Sequence, residues 1–261
     1  MPHTNPPSLT IVYPMFNEEE TVEELLNETV AYLSRHYPDY EVVVVDDAST
    51  DSTGAILDRM SAGNPRINVI HHAGNHSLGG ALTSGFSAAT KSLVLYSDAD
   101  FPFDLHEIPR AFRAIRRADI MSAYRHDRHS EGWWRTFQSY VYNLLLHLLF
   151  GLHLRDVNFA FKLFRLEALR KLDLKSEGSF IDAEILIRAL RQKMRIVQIG
   201  VDYFPRTRGS STLTSLPVVL RMLKEMIRLS PELHRLKKES CTAHTIRVTT
   251  AKPRPPQNTG S

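Results

Sequence analysis

Short apolar runs alternate with amphipathic stretches along the first hundred residues. Leu9 to Tyr13 is a β-rich run closed by Pro14, and Glu41 to Val45 is a second one closed by Asp46 and Asp47. Between them Val22, Leu25, Leu26, Val30 and Leu33 recur at three- and four-residue spacing. That spacing predicts a helix with one buried face, and acidic residues fill its first turn, where the helix dipole favours them. The alternation continues with a helix through Ile56, Leu57 and Met60, a strand from Ile67 to Ile70, a helix from Leu78 to Ala89 and a strand from Leu93 to Ser97. Nearly continuous apolar strands alternating with helices predict an α/β fold, a mostly parallel central sheet with helices on both faces. Ligands then sit at the carboxyl ends of the strands.

The second half reads differently. A helix through Arg117 and a strand from Asp119 to Ala123 come first, then a charged loop from Tyr124 to Gly132 and a leucine-rich aromatic segment from Trp133 to Leu152. Such a stripe is either plain core or an apolar ledge. Asp156 to Phe164 looks like an extended return, Phe180 to Arg191 a helix, and Ile196 to Phe204 a last strand before Arg206-Thr207-Arg208-Gly209-Ser210-Ser211. From Leu216 to Leu236 an apolar stripe of Leu216, Val219, Leu220, Leu223, Met226 and Ile227 opposes Arg221, Lys224, Arg228 and Arg235. This C-terminal amphipathic helix either packs on the domain or lies on a membrane. Thr242 to Ser261 is polar and rich in Pro and Thr, the composition of a disordered tail, and no internal repeat is present.

Composition narrows the classes. With 261 residues, 43% hydrophobic and 23% charged, the chain is long enough for one large core plus extensions. The formal charge of +3 hides an acidic front and a basic rear, which suit a metal-bound anionic substrate and an anionic membrane surface. Nucleic acid is not an expected partner. Cys241 is the single cysteine, so no internal disulfide forms and a reducing compartment is expected. The first residues lack the apolar core of a signal peptide, and no run approaches the ~18 apolar residues of a membrane span. The expected location is therefore cytoplasmic, peripheral to the inner face of a membrane.

The polar residues with chemical potential gather at the strand ends: Phe16-Asn17-Glu18, Asp46-Asp47-Ala48-Ser49, His71 to Gly80 and Asp98-Ala99-Asp100. Asp98 and Asp100, two residues apart at a strand end, project to one side and repel each other. A hard divalent cation relieves that repulsion and leaves coordination sites for phosphate oxygens, so the pair outlines a metal-diphosphate site. Each group also has a plainer meaning: Asn17 and Ser49 as helix caps, Asp46 and Asp47 as turn formers, Gly79-Gly80 as a close packing contact.

Tyr13-Pro14-Met15-Phe16-Asn17-Glu18, Val45 to Asp51, Gly79-Gly80-Ala81, Asp98-Ala99-Asp100, and Arg206 followed by Gly209 and Ser211 together resemble the inverting GT-A glycosyltransferases of family 2. Within that family the likeness is strongest to the dolichyl- and polyprenyl-phosphate mannosyl and glucosyl transferases. It implies a glycosyltransferase domain over 9–213, with a nucleotide-sugar-binding part (9–123) and an acceptor-binding part (124–213). A flexible N-terminus (1–8) precedes it, and a basic helix (214–240) and a tail (241–261) follow. It implies that Pro14, Phe16 and Glu18 border the nucleoside, with Glu18 accepting from a ribose hydroxyl, and that Asp47 meets the base edge. Asp98 and Asp100 would hold Mg²⁺ or Mn²⁺ against the diphosphate of a GDP- or UDP-hexose, close to the chemistry. Arg125, Arg135 and Ser139 would receive the phosphate of a polyprenyl phosphate acceptor. Arg206 would fold over the diphosphate.

The departures are specific. Phe101-Pro102 stands where many relatives have Leu-Gln, which puts the third metal ligand in question, and Met15-Phe16 replaces a frequent Thr-Tyr. The absence of Gln-x-x-Arg-Trp argues against a processive synthase. Two other enzyme readings stand beside the lipid-phosphate one. Transfer to a hydroxyl acceptor would need Asp182 or Glu184 as general base. A nucleotidyltransferase is disfavoured because no Gly-rich phosphate loop follows the first strand. A non-catalytic nucleotide sensor is the remaining class, and a membrane-protein partner or homo-oligomer is compatible with all of them.

Overall fold

Each apolar run of the first half becomes a strand: β1 (Leu9–Met15), β2 (Tyr40–Asp46) and β4 (Leu93–Ser97), buried almost throughout, and β3 (Ile67–His71) at the sheet edge, buried only at Ile67. The computed structural model describes residues 7–99, 104–125, 133–202 and 216–236, and for 133–140 and 216–217 the backbone alone. Between the strands lie α1 (Val22–His36), α2 (Thr53–Gly63) and α3 (Ser77–Ala88). A 3-10 turn, Leu105–Glu107, leads into α4 (Ile108–Ile115), which ends before the expected Arg117. Then follow β5 (Ile120–Arg125), α5 (Trp133–Phe150), β6 (Phe161–Arg165), α6 (Leu166–Leu169), α7 (Ile181–Arg191), β7 (Ile196–Val201) and α8 (Leu216–Arg235).

The strands form one sheet in the order β3-β2-β1-β4-β6-β5-β7. All neighbours pair in parallel except at β6, which runs antiparallel to both β4 and β5. The expected extended return from Asp156 shortens to Phe161–Arg165, and its first residue pairs with the last of β4, Ser97↔Phe161. A strand that enters the sheet reversed must begin where its neighbours end. The segment between β5 and β6 therefore starts and finishes at the same end of the sheet as Asp46 and Asp98.

Alternation along the strands divides the core in two. Ile11, Tyr13, Val42, Val44 and Leu95 face α1, α2 and α4, while Val12, Val43, Val45, Val94 and Tyr96 face α3, α5, α7 and α8. In α1 the predicted positions Val22, Leu25, Leu26 and Leu33 are buried. The aromatic segment divides: α5 buries Tyr142, Leu146 and Phe150, whereas Leu144, Leu148 and Leu149, which a plain-core reading would bury, are exposed together with Val141. Helix α8 needs a correction. Its buried stripe is Met222, Met226, Leu229 and Leu233, and Leu220 and Ile227 (69% exposed) turn outward beside Lys224 and Arg228. The helix is apolar over an arc wider than one packing face, and the 4-3-4 spacing of its buried four follows the neighbours it meets. Among the described residues no helix is long and apolar enough to cross a membrane.

Candidate functional site

The parallel register Met15↔Asp46 and Asp46↔His71 brings the ends of β1, β2 and β3 to one height. The loops leaving β1 and β2 are then stitched together. Asn17 donates its backbone N–H to Ser49 Oγ (3.0 Å) and accepts from the Thr50 N–H at Oδ1 (2.8 Å). Glu18 donates its N–H to Thr53 Oγ1 (2.8 Å), and Ser52 donates to Glu19 Oε2 (2.8 Å). Asn17 and Ser49 are cross-links, then, and the residues preceding α1 and α2 are Thr21 and Ser52. Asn17, Ala48 and Ser77 all adopt positive φ, 57°, 62° and 59°. Such backbone persists only where its surroundings hold it, and these three residues lie at the mouths of three strand-end loops.

Asp46 and Asp47 point to opposite faces and each meets a histidine. Asp46 accepts from the Ser49 N–H (3.0 Å) and lies 2.8 Å from His71 Nδ1, while His71 Nε2 reaches Asp58 (3.0 Å). Burial pushes the Asp46 carboxyl up, but the Ser49 and His71 hydrogen bonds outweigh it and hold the group below the ordinary carboxylate range. Reciprocally, the bond to Asp46 raises the His71 imidazole above its usual value against partial burial, and Asp58 adds to the effect. Asp47 is buried; its Oδ1 meets His72 Nδ1 at 2.7 Å and accepts the His76 N–H at 2.8 Å. Pro14, near the end of β1, and Glu18, in the loop that follows it, are half-buried, and Phe16 between them is 47% exposed. Glu18 accepts from the Thr21 hydroxyl at 3.2 Å.

At the end of β4, half-buried Asp98 accepts from the Tyr96 phenol at 3.3 Å. Asp100 and Arg206 lie outside the described residues, as do the side chains of Arg135 and Ser139 on α5. Arg125, at the end of β5, makes a two-pronged pair with Asp156, Nε to Oδ2 at 2.7 Å and Nη2 to Oδ1 at 2.8 Å. Asp156 itself sits at φ 50°. Gly79 and Gly80 donate their N–H groups to the Glu177 carbonyl (2.7 and 3.3 Å), and a Cβ on Gly79 would collide with the Ser176 carbonyl, so these glycines serve close packing.

The two carboxylates of α7 are held inside the fold. Asp182 (2% exposed) meets the fully buried Lys162 ammonium at 2.6 Å, and Lys162 also donates to the Phe159 carbonyl at 2.8 Å. Burial raises the Asp182 carboxyl, and Lys162 opposes that rise. Glu184 (0% exposed) accepts from the Lys175 N–H (3.0 Å), the Ser176 N–H (2.7 Å) and Arg188 Nε (2.7 Å). A carboxylate so occupied is a strut for the 175–176 loop and is poorly placed to take a proton from an acceptor hydroxyl.

Sequence reasoning placed His71 and His72 in a polar strand-end stretch without giving either a partner, and passed over Asp156 and Lys162. The histidines' partners follow from the register, which sets Asp46, the first residue after Val45, level with His71, the first after Ile70. The signal for Lys162 was a lone cation inside Phe159-Ala160-Phe161-Lys162-Leu163-Phe164, which burial permits only beside a carboxylate. Among the described residues no group of three or more His, Cys, Asp or Glu side chains converges on a metal position.

The fold, a mixed sheet with helices on both faces, is shared with solved glycosyltransferases of the GT-A fold. The mannosyltransferase PcManGT from Pyrobaculum calidifontis, solved with GDP-Man and Mn²⁺, superposes with a TM-score of 0.61 at 20% identity, over 90% of this chain and 72% of that one. The chain is 30% identical over 216 residues to the undecaprenyl-phosphate mannosyltransferase of Micrococcus luteus, covering 79% of this chain and 87% of that protein. It is also 30% identical over 229 residues to glycosyltransferase AglD of Haloferax volcanii, covering 84% of this chain but only 36% of that longer protein. Residues 10–173 match Glycosyl transferase family 2, and with that span and these relatives the chain belongs to this family of glycosyltransferases.

Proposed function

We propose that this chain transfers a hexose, with inversion, from a GDP- or UDP-hexose to a polyprenyl phosphate at the inner face of a membrane. The observation that carries the choice of acceptor is the state of Asp182 and Glu184. An alcohol acceptor needs a base, and both carboxylates on α7 are spent on buried structural partners. A phosphate acceptor needs none, because its second pKa is about 6 and its oxygen is already ionised near neutral pH. The similarity to an undecaprenyl-phosphate mannosyltransferase supports the same choice.

In this reading Pro14, Phe16, Glu18 and Asp47 border the nucleoside. Asp98 offers hard carboxylate oxygens at a strand end, with one phenol donor already on it, which suits a divalent cation of the Mg²⁺ or Mn²⁺ class. Asp98 and Asp100 would hold that cation, and when bound it neutralises charge developing on the departing nucleoside diphosphate. Arg206 would clamp the same group. Arg125, with Arg135 and Ser139 from the adjacent helix, would receive the acceptor phosphate, Asp156 fixing the Arg125 fork meanwhile. Leu144 and Leu148 exposed on α5, and Ile227 exposed with Lys224 and Arg228 on α8, suit an anionic membrane surface.

The test supplies the purified chain with Mn²⁺, radiolabelled GDP-mannose or UDP-glucose, and undecaprenyl or dolichyl phosphate. Label should pass into the organic phase as a lipid-phosphate sugar, chelator should abolish transfer, and Asp98→Asn should lower it by at least two orders of magnitude. Transfer to hydroxyl acceptors with none to lipid phosphate would overturn the reading.

A further inference from the structure

Asp47, His72 and Ser84 form a linear chain of side chains. Asp47 Oδ1 meets His72 Nδ1 at 2.7 Å, and His72 Nε2 meets Ser84 Oγ at 2.8 Å. The order carboxylate, imidazole, hydroxyl is that of a serine nucleophile with its base and orienting acid. The backbone argues against that use. Ser84 lies inside α3 (Ser77–Ala88), where amide N–H groups are committed to carbonyls one turn back, so none is left to hold an oxyanion. The chain instead works in the other direction, as a brace on the carboxylate.

The partners define what the brace does. A carboxylate only accepts, so the His72 proton sits on Nδ1 and the Ser84 hydroxyl can donate to Nε2. The His76 N–H reaches the same Oδ1 at 2.8 Å, so both donors fall on one oxygen, and no hydrogen bond among the described residues engages Oδ2. The Asp47 backbone is fixed as well: its N–H donates to the Met15 carbonyl (2.9 Å) and its carbonyl accepts from Asn75 Nδ2 (3.2 Å).

We propose that His72 is a positioning residue for nucleobase selection, holding Asp47 so that Oδ2 accepts from a ring N–H on the pairing edge of the donor's base. This rests on the nucleotide-sugar reading above. The chemical class follows from the acceptor. Uracil, thymine and guanine present a ring N–H there, whereas cytosine and adenine present a ring acceptor that a carboxylate repels. The site therefore favours uridine-, thymidine- or guanosine-type donors over cytidine and adenosine types, whose one donor on that edge is an exocyclic amine beside a ring nitrogen the carboxylate repels. His72 makes that discrimination sharp because an unbraced carboxylate rotates and accommodates water or either edge.

Calorimetric titration of the full chain with UDP, GDP, CDP, ADP and inorganic pyrophosphate, all with Mn²⁺, tests it. The better of UDP and GDP should bind the wild type about 10- to 100-fold more tightly than CDP or ADP, the range of one hydrogen bond to a charged group. His72→Ala should bring that ratio to within about threefold of unity with pyrophosphate affinity unchanged, and His72→Gln, which keeps an N–H donor, should restore part of it. Ser84→Ala, which loosens the brace without touching Asp47, should lower the ratio several-fold and decides the matter if His72→Ala does not fold. An unchanged ratio in folded His72→Ala or in Ser84→Ala overturns the inference, as does equal weakening of every nucleotide and of pyrophosphate. A wild type that binds no nucleotide at all overturns the donor reading itself.

Discussion

Asp182 and Lys162 are the pair on which a single atom change says most. Asp182→Asn removes the charge opposite a fully buried ammonium, and breaking such a pair costs about 3–5 kcal/mol. Urea unfolding should register that loss, while the joint replacement Lys162→Met with Asp182→Leu should recover most of it. Activity of Asp182→Asn must then be read per folded molecule. A folded variant with normal donor binding and a rate lowered 10²- to 10⁴-fold would restore Asp182 as a base. His71 makes a pH prediction. Its pKa is raised in the folded state, so its contribution is complete below the unfolded value of about 6.5 and is lost as pH rises through the folded one. Asp46 is depressed, so its contribution holds above about 3.9 and is lost as pH falls through its folded value. Wild type should exceed His71→Gln in stability at pH 5.5, and the gap should close toward pH 9. At this scale the sequence exposed the carboxylates but not their partners. A partner from another strand is visible only once the register is known, and the register rests on Val42↔Ile67, which no local pattern announces.

Helices α5 and α8 show how far an apolar pattern goes. Periodicity located both, yet it could not choose among several apolar stripes on each, because the neighbours make that choice. In α8 they choose Met222, Met226, Leu229 and Leu233, and the residues left outside mix Leu220 and Ile227 with Lys224 and Arg228. That mixture predicts attachment to anionic vesicles, each basic residue near the surface contributing ~1 kcal/mol. In a flotation assay Lys224→Glu with Arg228→Glu should shift the protein to the soluble fraction, and Leu148→Glu with Ile227→Glu should do the same at high salt, where the charges are screened. Arg221 is a poorer probe because it donates to Ser77 Oγ at 3.2 Å and anchors α8 to the start of α3. Flotation that survives both pairs would leave the outward face without a membrane role.

At the scale of the whole molecule, the alternation of the first four strands made half the sheet readable in advance, including the ends at which its polar residues gather. In the other half the strands themselves were located, but their order and the reversal of β6 were not readable, since that reversal depends on where the chain turns and leaves no trace in its apolar run Phe161 to Phe164. That reversed strand has a consequence for the order in which the protein comes into being. Synthesis delivers β1 to β4 first, and they already form a contiguous block, β3-β2-β1-β4, with one edge of β4 open. An open edge is a template for wrong pairing, and here it stays open while some sixty residues, Asp98 to Ala160, leave the ribosome. Ribosome-held chains ending near Phe150 should therefore protect β1 and β2 from proteolysis yet stick to chaperones through β4. Release of the chaperone should coincide with emergence of Arg165, the moment at which the whole of β6 can pair with β4 and close that edge.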